Sequence, residues 1–250
     1  MNTAAVKRNE AHRTAGKPET NAIVPSKAPR SEHPKGTKWV LLTSSKGGSG
    51  KTTTAYNIAA FAANDGLKVG VVDLDIQGAL TQWWRLRPKE APKIRHFHAT
   101  MDSFQGALDR AAAAELDLVI IDTPPAIEAF DGAIRLLVRR ADLCLVPSNQ
   151  GGVDPSVAAA WLKFLRRERV RAACILNRAK TNSRSFQPTK IELQSAGKLC
   201  PFEVRDLEDI KESVTLGLGV LELAKANGVE DYRGVWAFVR SELSLHDAEV

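Results

Sequence analysis

Lys46-Gly47-Gly48-Ser49-Gly50-Lys51-Thr52-Thr53 lies between two stretches of different character. Before it runs Trp39-Val40-Leu41-Leu42-Thr43, which is apolar and β-prone. After it runs Thr54-Ala55-Tyr56-Asn57-Ile58-Ala59-Ala60-Phe61-Ala62-Ala63, which reads as a helix. A strand, a glycine-rich turn and a helix in that order build a phosphate cradle. The glycines let backbone N–H groups approach phosphate oxygens, and the helix N-terminus adds a partial positive charge. Such a loop places Lys51 on the β- and γ-phosphates and the Thr52 hydroxyl on Mg²⁺. The usual pattern has a glycine at position 45, where this chain has Ser45, and it carries an additional lysine, Lys46, inside the loop.

Two carboxylate motifs follow at the ends of predicted strands. Lys68-Val69-Gly70-Val71-Val72-Asp73 reads as a strand closing in Asp73-Leu74-Asp75-Ile76-Gln77-Gly78. Ligands of open α/β sheets bind at that carboxyl edge. Elsewhere two such carboxylates are solvated turn residues; beside a phosphate loop they hold a Mg²⁺ shell and orient a water. Leu116-Asp117-Leu118-Val119-Ile120-Ile121-Asp122 is nearly continuous in its apolar character, as in a central parallel strand covered on both faces. Asp122 at its end is the expected second metal-side carboxylate, followed by the stiff Thr123-Pro124-Pro125.

The bulk properties set the frame. With 250 residues, 44% of them hydrophobic, the chain can bury one substantial α/β core. No apolar run approaches a membrane span, and the N-terminus lacks the apolar block of a secretion signal. Cys144, Cys174 and Cys200 are far apart, so they form neither a disulfide framework nor a metal spacing and read as buried thiols in a reducing cytosol. Residues 1–36 are rich in Ala, Pro, Ser, Thr and charge, and read as a disordered basic arm ahead of one α/β domain at 37–250. That arm is either a solvated leader or a contact for DNA or a partner. The formal net charge is +6. Seven Lys/Arg against three Glu place 7 − 3 = +4 of it in the arm.

The remaining elements alternate as a doubly wound α/β chain requires. Helices are expected at 79–87, carrying Trp83 and Trp84 with at least one of them in the core, and at 103–114, 131–140, 157–167 and 230–245. Strands are expected at 93–99, 141–147, 170–177 and, briefly, 200–204, with a polar loop at 148–155.

Lys-Gly-Gly-x-Gly-Lys-Thr at 46–52, Asp-x-Asp-x-Gln at 73–77 and Asp122–Pro125 together resemble the ParA-type ATPases, those of the short type without a helix-turn-helix domain. The resemblance covers about Lys38 to Leu245 and implies a P-loop NTPase fold, a doubly wound, mostly parallel sheet with helices on both faces. It implies ATP/ADP and Mg²⁺ as cofactors, with Gly47, Gly48, Ser49, Gly50 and Thr53 completing the nucleotide loop. Asp73 would support the metal site with Thr52 and Asp122, Asp75 would place the attacking water, and Asn177 would face the adenine. Lys46 would reach across an ATP-bound homodimer to the partner's phosphates. Non-specific DNA binding through the C-terminal half is implied too, with Arg178, Lys180, Arg184, Lys190, Lys198 and Arg205 as candidates. The function implied is cytoplasmic, nucleoid-associated DNA segregation, with a centromere-binding ParB-like partner stimulating hydrolysis and no membrane involvement. A positioning ATPase for a non-DNA cargo shares every site residue. A MinD-like membrane regulator is disfavoured by the acidic end of the chain. An iron–sulfur reductase is disfavoured because the cysteines are misplaced.

Overall fold

The computed structural model of the chain describes residues 36–125 and 127–245. The expected arm, Gly36 aside, and residues 246–250 lie outside the described residues. In order the elements are β1 (Lys38–Leu42), α1 (Lys51–Asn64), β2 (Val69–Asp73), α2 (Ala79–Leu86), β3 (Ile94–His98), α3 (Phe104–Ala112) and β4 (Leu118–Asp122). A 3-10 turn (Ile127–Phe130) leads to α4 (Asp131–Arg140), β5 (Leu143–Asn149), α5 (Asp154–Arg167), β6 (Ala172–Asn177), α6 (Phe186–Ala196) and β7 (Lys198–Leu199). Then come α7 (Glu208–Thr215), a second 3-10 turn (Val220–Glu222) and α8 (Val229–Leu243).

The seven strands form one sheet in the order β3-β2-β4-β1-β5-β6-β7, and every pairing is parallel. The period of two along each strand sorts its side chains between two cores. Trp39 and Leu41 of β1, Val119 and Ile121 of β4, and Val146 of β5 face one core, which α3, α4, α5 and α6 cover. Val40, Leu42, Leu118, Ile120 and Leu145 face the other, covered by α1, α2 and α8. Fully burying such a Val, Leu or Ile side chain contributes about 1.5–3 kcal/mol each, and the central strands have no solvated face. Of the paired tryptophans Trp83 is fully buried, whereas Trp84 is 36% exposed.

Three elements differ from the sequence expectation in extent or existence, and α5 starts at Asp154 where residue 157 was expected. β5 runs on through Pro147 to Asn149. The Cys144 N–H donates to the Arg171 carbonyl, so by alternation the nitrogen of residue 147 faces β1, whose pairing with β5 has ended at Leu145. A proline there costs no ladder bond. The expected strand at 200–204 is a correction: β7 is only Lys198–Leu199. The chain still follows β6 through Cys200 N–H to Cys174 O and Val204 N–H to Leu176 O, both 2.8 Å, but it leaves the ladder at Pro201, which has no N–H to donate. The third difference is α6, unforeseen because its lysine drew the eye to charge. Its buried residues Phe186, Thr189, Leu193 and Ala196 are spaced at three, four and three.

Candidate active site

The topology brings the carboxyl ends of β1, β2 and β4 side by side, and the three sequence motifs with them. Leu42 and Asp73 both lie in register with Asp122. Gly48 and Gly50 take left-handed backbone angles, with φ of 73° and 94°. Gly50 is doubly constrained, because a Cβ there would stand 2.4 Å from the Asn177 amide nitrogen. α1 starts directly behind it with no side-chain cap and no acidic residue in its first turn. Its first N–H groups are thus open toward an anion.

The buried Lys51 turns its Nζ back onto the Lys46 carbonyl at 3.3 Å. Thr52 Oγ1 donates to Asp122 Oδ2 at 2.6 Å. The other oxygen of Asp122 is buried and accepts no hydrogen bond. Burial pushes the Asp122 carboxyl up to about 7; the Thr52 hydrogen bond and Lys51 oppose the shift, and Asp73 and Asp75 add to it.

Asp73, expected to support the metal site, is engaged by the start of α2. Its carboxylate accepts from Asp75 N–H at 3.1 Å, from Thr81 N–H at 2.8 Å and from Thr81 Oγ1 at 2.6 Å. It thereby anchors the first turn of α2, and its oxygens are already engaged. Asp75 is half-buried, and its Oδ1 accepts from Gln77 N–H at 3.0 Å. Asp122 thus offers one open carboxylate oxygen, and Thr52 its hydroxyl, to a metal. That donor set suits Mg²⁺, which completes its shell with phosphate oxygens and waters.

Lys46 stands on the outer lip, its side chain 45% exposed, in an ion pair with Asp154 at the start of α5. Asn149 ties the same carboxylate to the loop, donating from Nδ2 to Asp154 Oδ2 at 2.9 Å and to the Gly48 carbonyl at 3.0 Å. Asn149 and Asp154 were not singled out from the sequence. Asp154 fell in the expected polar loop at 148–155, whereas α5 starts there, with Pro155 in its first turn.

Behind the loop is a cavity of about 220 Å³, lined among others by Gly50, Tyr56, Asn177, Val204, Leu207 and Tyr232. Asn177 donates to the Ser49 carbonyl at 3.0 Å and to Thr54 Oγ1 at 3.4 Å, while its buried Oδ1 is left without a partner. Thr43 Oγ1, Ser49 Oγ and Asn149 Oδ1 are likewise buried and unpartnered. Orphaned polar atoms are uncommon in a folded interior, and here five surround one loop. The cradle, the orphaned acceptors and the mainly apolar cavity fit a nucleotide with its metal.

The six basic candidates are not brought together. Lys190 pairs with Glu203 at 3.1 Å, Lys198 with Glu242 at 2.9 Å, and Arg205 with Asp231 at 2.8 Å. Arg178, at φ 49°, and Arg205 also line the nucleoside cavity. Lys180 and Arg184 are exposed on the β6–α6 connection. The three cysteines are free and buried, and burial raises each thiol, Cys144 to about 12.

The family described as the CobQ/CobB/MinD/ParA nucleotide binding domain matches residues 40–228. A Halothiobacillus neapolitanus protein, "Maintenance of carboxysome distribution protein A", is 29% identical over 189 residues, 71% of this chain and 84% of the relative. The Thermus thermophilus "Chromosome-partitioning ATPase Soj" is 32% identical over 115 residues, covering 35% of this chain and 46% of the relative. Among solved structures, the septum site-determining protein MinD of Pyrococcus horikoshii, complexed with Mg-ADP, superposes with a TM-score of 0.68 at 14% identity, covering 86% of this chain and all of that one. Apo McdA of Cyanothece gives 0.65 at 17%, covering 81% of this chain and 99% of that one. At these identities the structural likeness is one of fold.

Proposed function

As the chain belongs to the CobQ/CobB/MinD/ParA nucleotide-binding family and is an ATPase working with ATP and Mg²⁺, we propose that it is a DNA-partition switch. It dimerises on ATP, binds DNA without sequence preference as a dimer, and is released when a ParB-like partner stimulates hydrolysis. The observation that carries this reading is Lys46. Its own phosphate loop already contains Lys51, and Lys46 points outward to Asp154 on the exposed lip. Two large apolar side chains stand on the same rim, Ile76 at 80% exposure and Val153 at 62%. A second copy would cover them and would receive Lys46.

Within this reading Lys51 binds the β- and γ-phosphates, and Thr52 with Asp122 holds Mg²⁺. Asp75 orients the attacking water, and the free Oδ1 of Asn177 accepts from the base. Lys46 supplies cationic stabilisation to the partner's transferring phosphoryl group, a contribution of about 10³–10⁵ in rate for a cation supplied in trans. Hydrolysis then requires two copies, which makes nucleotide state and assembly one switch.

A second reading is favoured by the Halothiobacillus relative, most of whose length this chain matches: positioning of a non-DNA cargo, such as a protein cluster, on the nucleoid. The site chemistry is the same and the partner differs. The test is ATP-dependent assembly followed by light scattering, with DNA retention measured beside it. Wild type is expected to be a dimer with ATP and a monomer with ADP, and Lys46→Ala to keep ATP but lose dimer-dependent turnover. A variant with full turnover as a monomer would end the reading. A pull-down with ATP and DNA then separates a DNA-binding partner from a cargo adaptor.

A further inference from the structure

The basic residues of the two halves differ in what they touch. In the C-terminal half Lys190, Lys198, Arg205 and Lys211 are all committed to carboxylates. At the opposite edge of the sheet, a groove of about 750 Å³ runs between the end of α2 and strand β3, lined among others by Trp84, Arg85, Lys89, Lys93, Arg95 and His96. Arg85, Lys89, Lys93 and Arg95 are exposed. None of the four has a carboxylate within ion-pair distance among the described residues. Arg87 also lines the groove, but Glu222 holds it, and Glu90 is the one acid in the connection from α2 to β3.

We propose that this groove docks the phosphate backbone of duplex DNA. The assignment rests on the DNA-binding reading above and names the surface. Four unpaired cations along one groove give charge complementarity to a phosphate row, and phosphate contacts need little further geometry. The wall is stiff: Trp84 stacks on His96 with centroids 4.8 Å apart, and its indole N–H donates to the Ile94 carbonyl at 2.7 Å. Among the described residues β3 is an edge strand, which leaves backbone N–H groups on its outer side as additional donors.

The groove also connects to the nucleotide edge. Asp73 holds Thr81, Thr81 Oγ1 lies 2.9 Å from His96 Nε2, and His96 stacks on Trp84. A change at the end of β2 therefore meets the groove wall through contacting side chains. Edge charges also serve to block strand-to-strand aggregation, a role that requires no DNA. The two roles are separable by experiment.

The test is duplex DNA binding by the full chain with ATP and Mg²⁺ over a salt series. The quadruple variant R85Q/K89Q/K93Q/R95Q is compared with wild type and with K180Q/R184Q. The quadruple variant should flatten the slope of log K against log salt by about 3–4 and weaken binding by about 10³-fold or more near 0.1 M salt. ATP hydrolysis should persist in it, because none of the four touches the nucleotide site. If the quadruple variant is poorly soluble, K89Q/K93Q should still lower the slope by about 2. A quadruple variant matching wild type in affinity and slope would overturn the groove and leave the DNA reading intact. Wild type without DNA affinity in any nucleotide state would remove both. Tighter binding of a single-stranded oligonucleotide than of duplex would overturn the assignment. So would loss of polyglutamate binding with duplex binding unchanged, which would mark the groove as a site for an acidic peptide.

Discussion

Asp122 and Glu222 are both largely buried carboxylates, and the protein treats them in opposite ways. Glu222 accepts from both terminal nitrogens of Arg87, at 2.8 and 2.6 Å, and also from Gly219 N–H and Asn64. Burial would raise its carboxyl; the Arg87 hydrogen bonds and charge and the Gly219 N–H outweigh that and hold it below its ordinary value. Asp122 has one hydroxyl donor, an empty second oxygen, and a carboxyl raised to about 7. A closed network braces α2 against the second 3-10 turn, whereas an open one waits for a ligand. The contrast sets a buried charge that the fold satisfies beside one that it leaves open, without any appeal to motif.

Removing the central cation of the open network should have the largest effect. Lys51→Ala is expected to lower ATP turnover by about 10²–10³ or more, the scale of one preorganised charge in a closed site, while the protein stays folded. Turnover within a few-fold of wild type would show that the loop is not the catalytic one. Removing the cation of the closed network should act on stability instead. Arg87→Ala leaves Glu222 buried without its partner and should cost about 3–5 kcal/mol in chemical denaturation. Arg87→Met with Glu222→Leu should recover most of that loss, since a packed apolar pair replaces the ions. In that double variant the ATP affinity of the folded fraction should be unchanged.

The two carboxylates also predict opposite pH slopes. Glu222 titrates lower in the folded protein than its ordinary 4.5, so its contribution is present above that value and is lost as pH falls through the folded one. Glu222→Gln should therefore flatten the acid limb of a stability curve. Asp122 titrates higher in the folded protein, about 7 against 3.8, so the folded state holds the extra proton between those values. The nucleotide-free protein should lose stability as pH rises through that window, and Asp122→Asn should abolish the loss. Mg²⁺-nucleotide binding should follow the reverse order, strengthening toward and above pH 7 as the carboxylate forms. Denaturation midpoints measured without nucleotide from pH 4 to 8 would test both signs.

The difference between the two networks also marks what a reader of the sequence is able to see. Lys51, Thr52 and Asp122 were legible as site candidates because Lys51 and Thr52 open a helix directly behind a glycine-rich turn and Asp122 closes an apolar strand. The parallel sheet was legible from the continuous apolar runs of β1, β4 and β5. Arg87 and Glu222 were invisible, because 135 residues separate them and neither has a local signature. Asp73 shows the same limit: its motif is local, but the Thr81 contacts that its carboxylate makes depend on how α2 leaves the strand. The charge count in the C-terminal half showed cations and not the acids that neutralise them in space.

The smallest expected effect falls on the boundary between the two kinds of network. The Lys46–Asp154 pair is closed within one chain, yet Lys46 is 45% exposed, and the proposed dimer requires the pair to open. Such an exposed ion pair is worth about 0.2–1 kcal/mol. A symmetric dimer opens two such pairs, about 0.4–2 kcal/mol together, so opening them in advance with Asp154→Asn should shift the ATP-dependent dimerisation constant by about two- to thirty-fold, in favour of the dimer. The amide retains a hydrogen-bonding partner for Asn149, so the loop is held while the charge is gone. Thermal stability of the monomer should barely change. A weaker dimer in Asp154→Asn would mean that Asp154 holds Lys46 ready for the partner. A tighter one would mean that it restrains Lys46 until ATP brings two copies together, which is the sense required of a lysine parked outside its own phosphate loop.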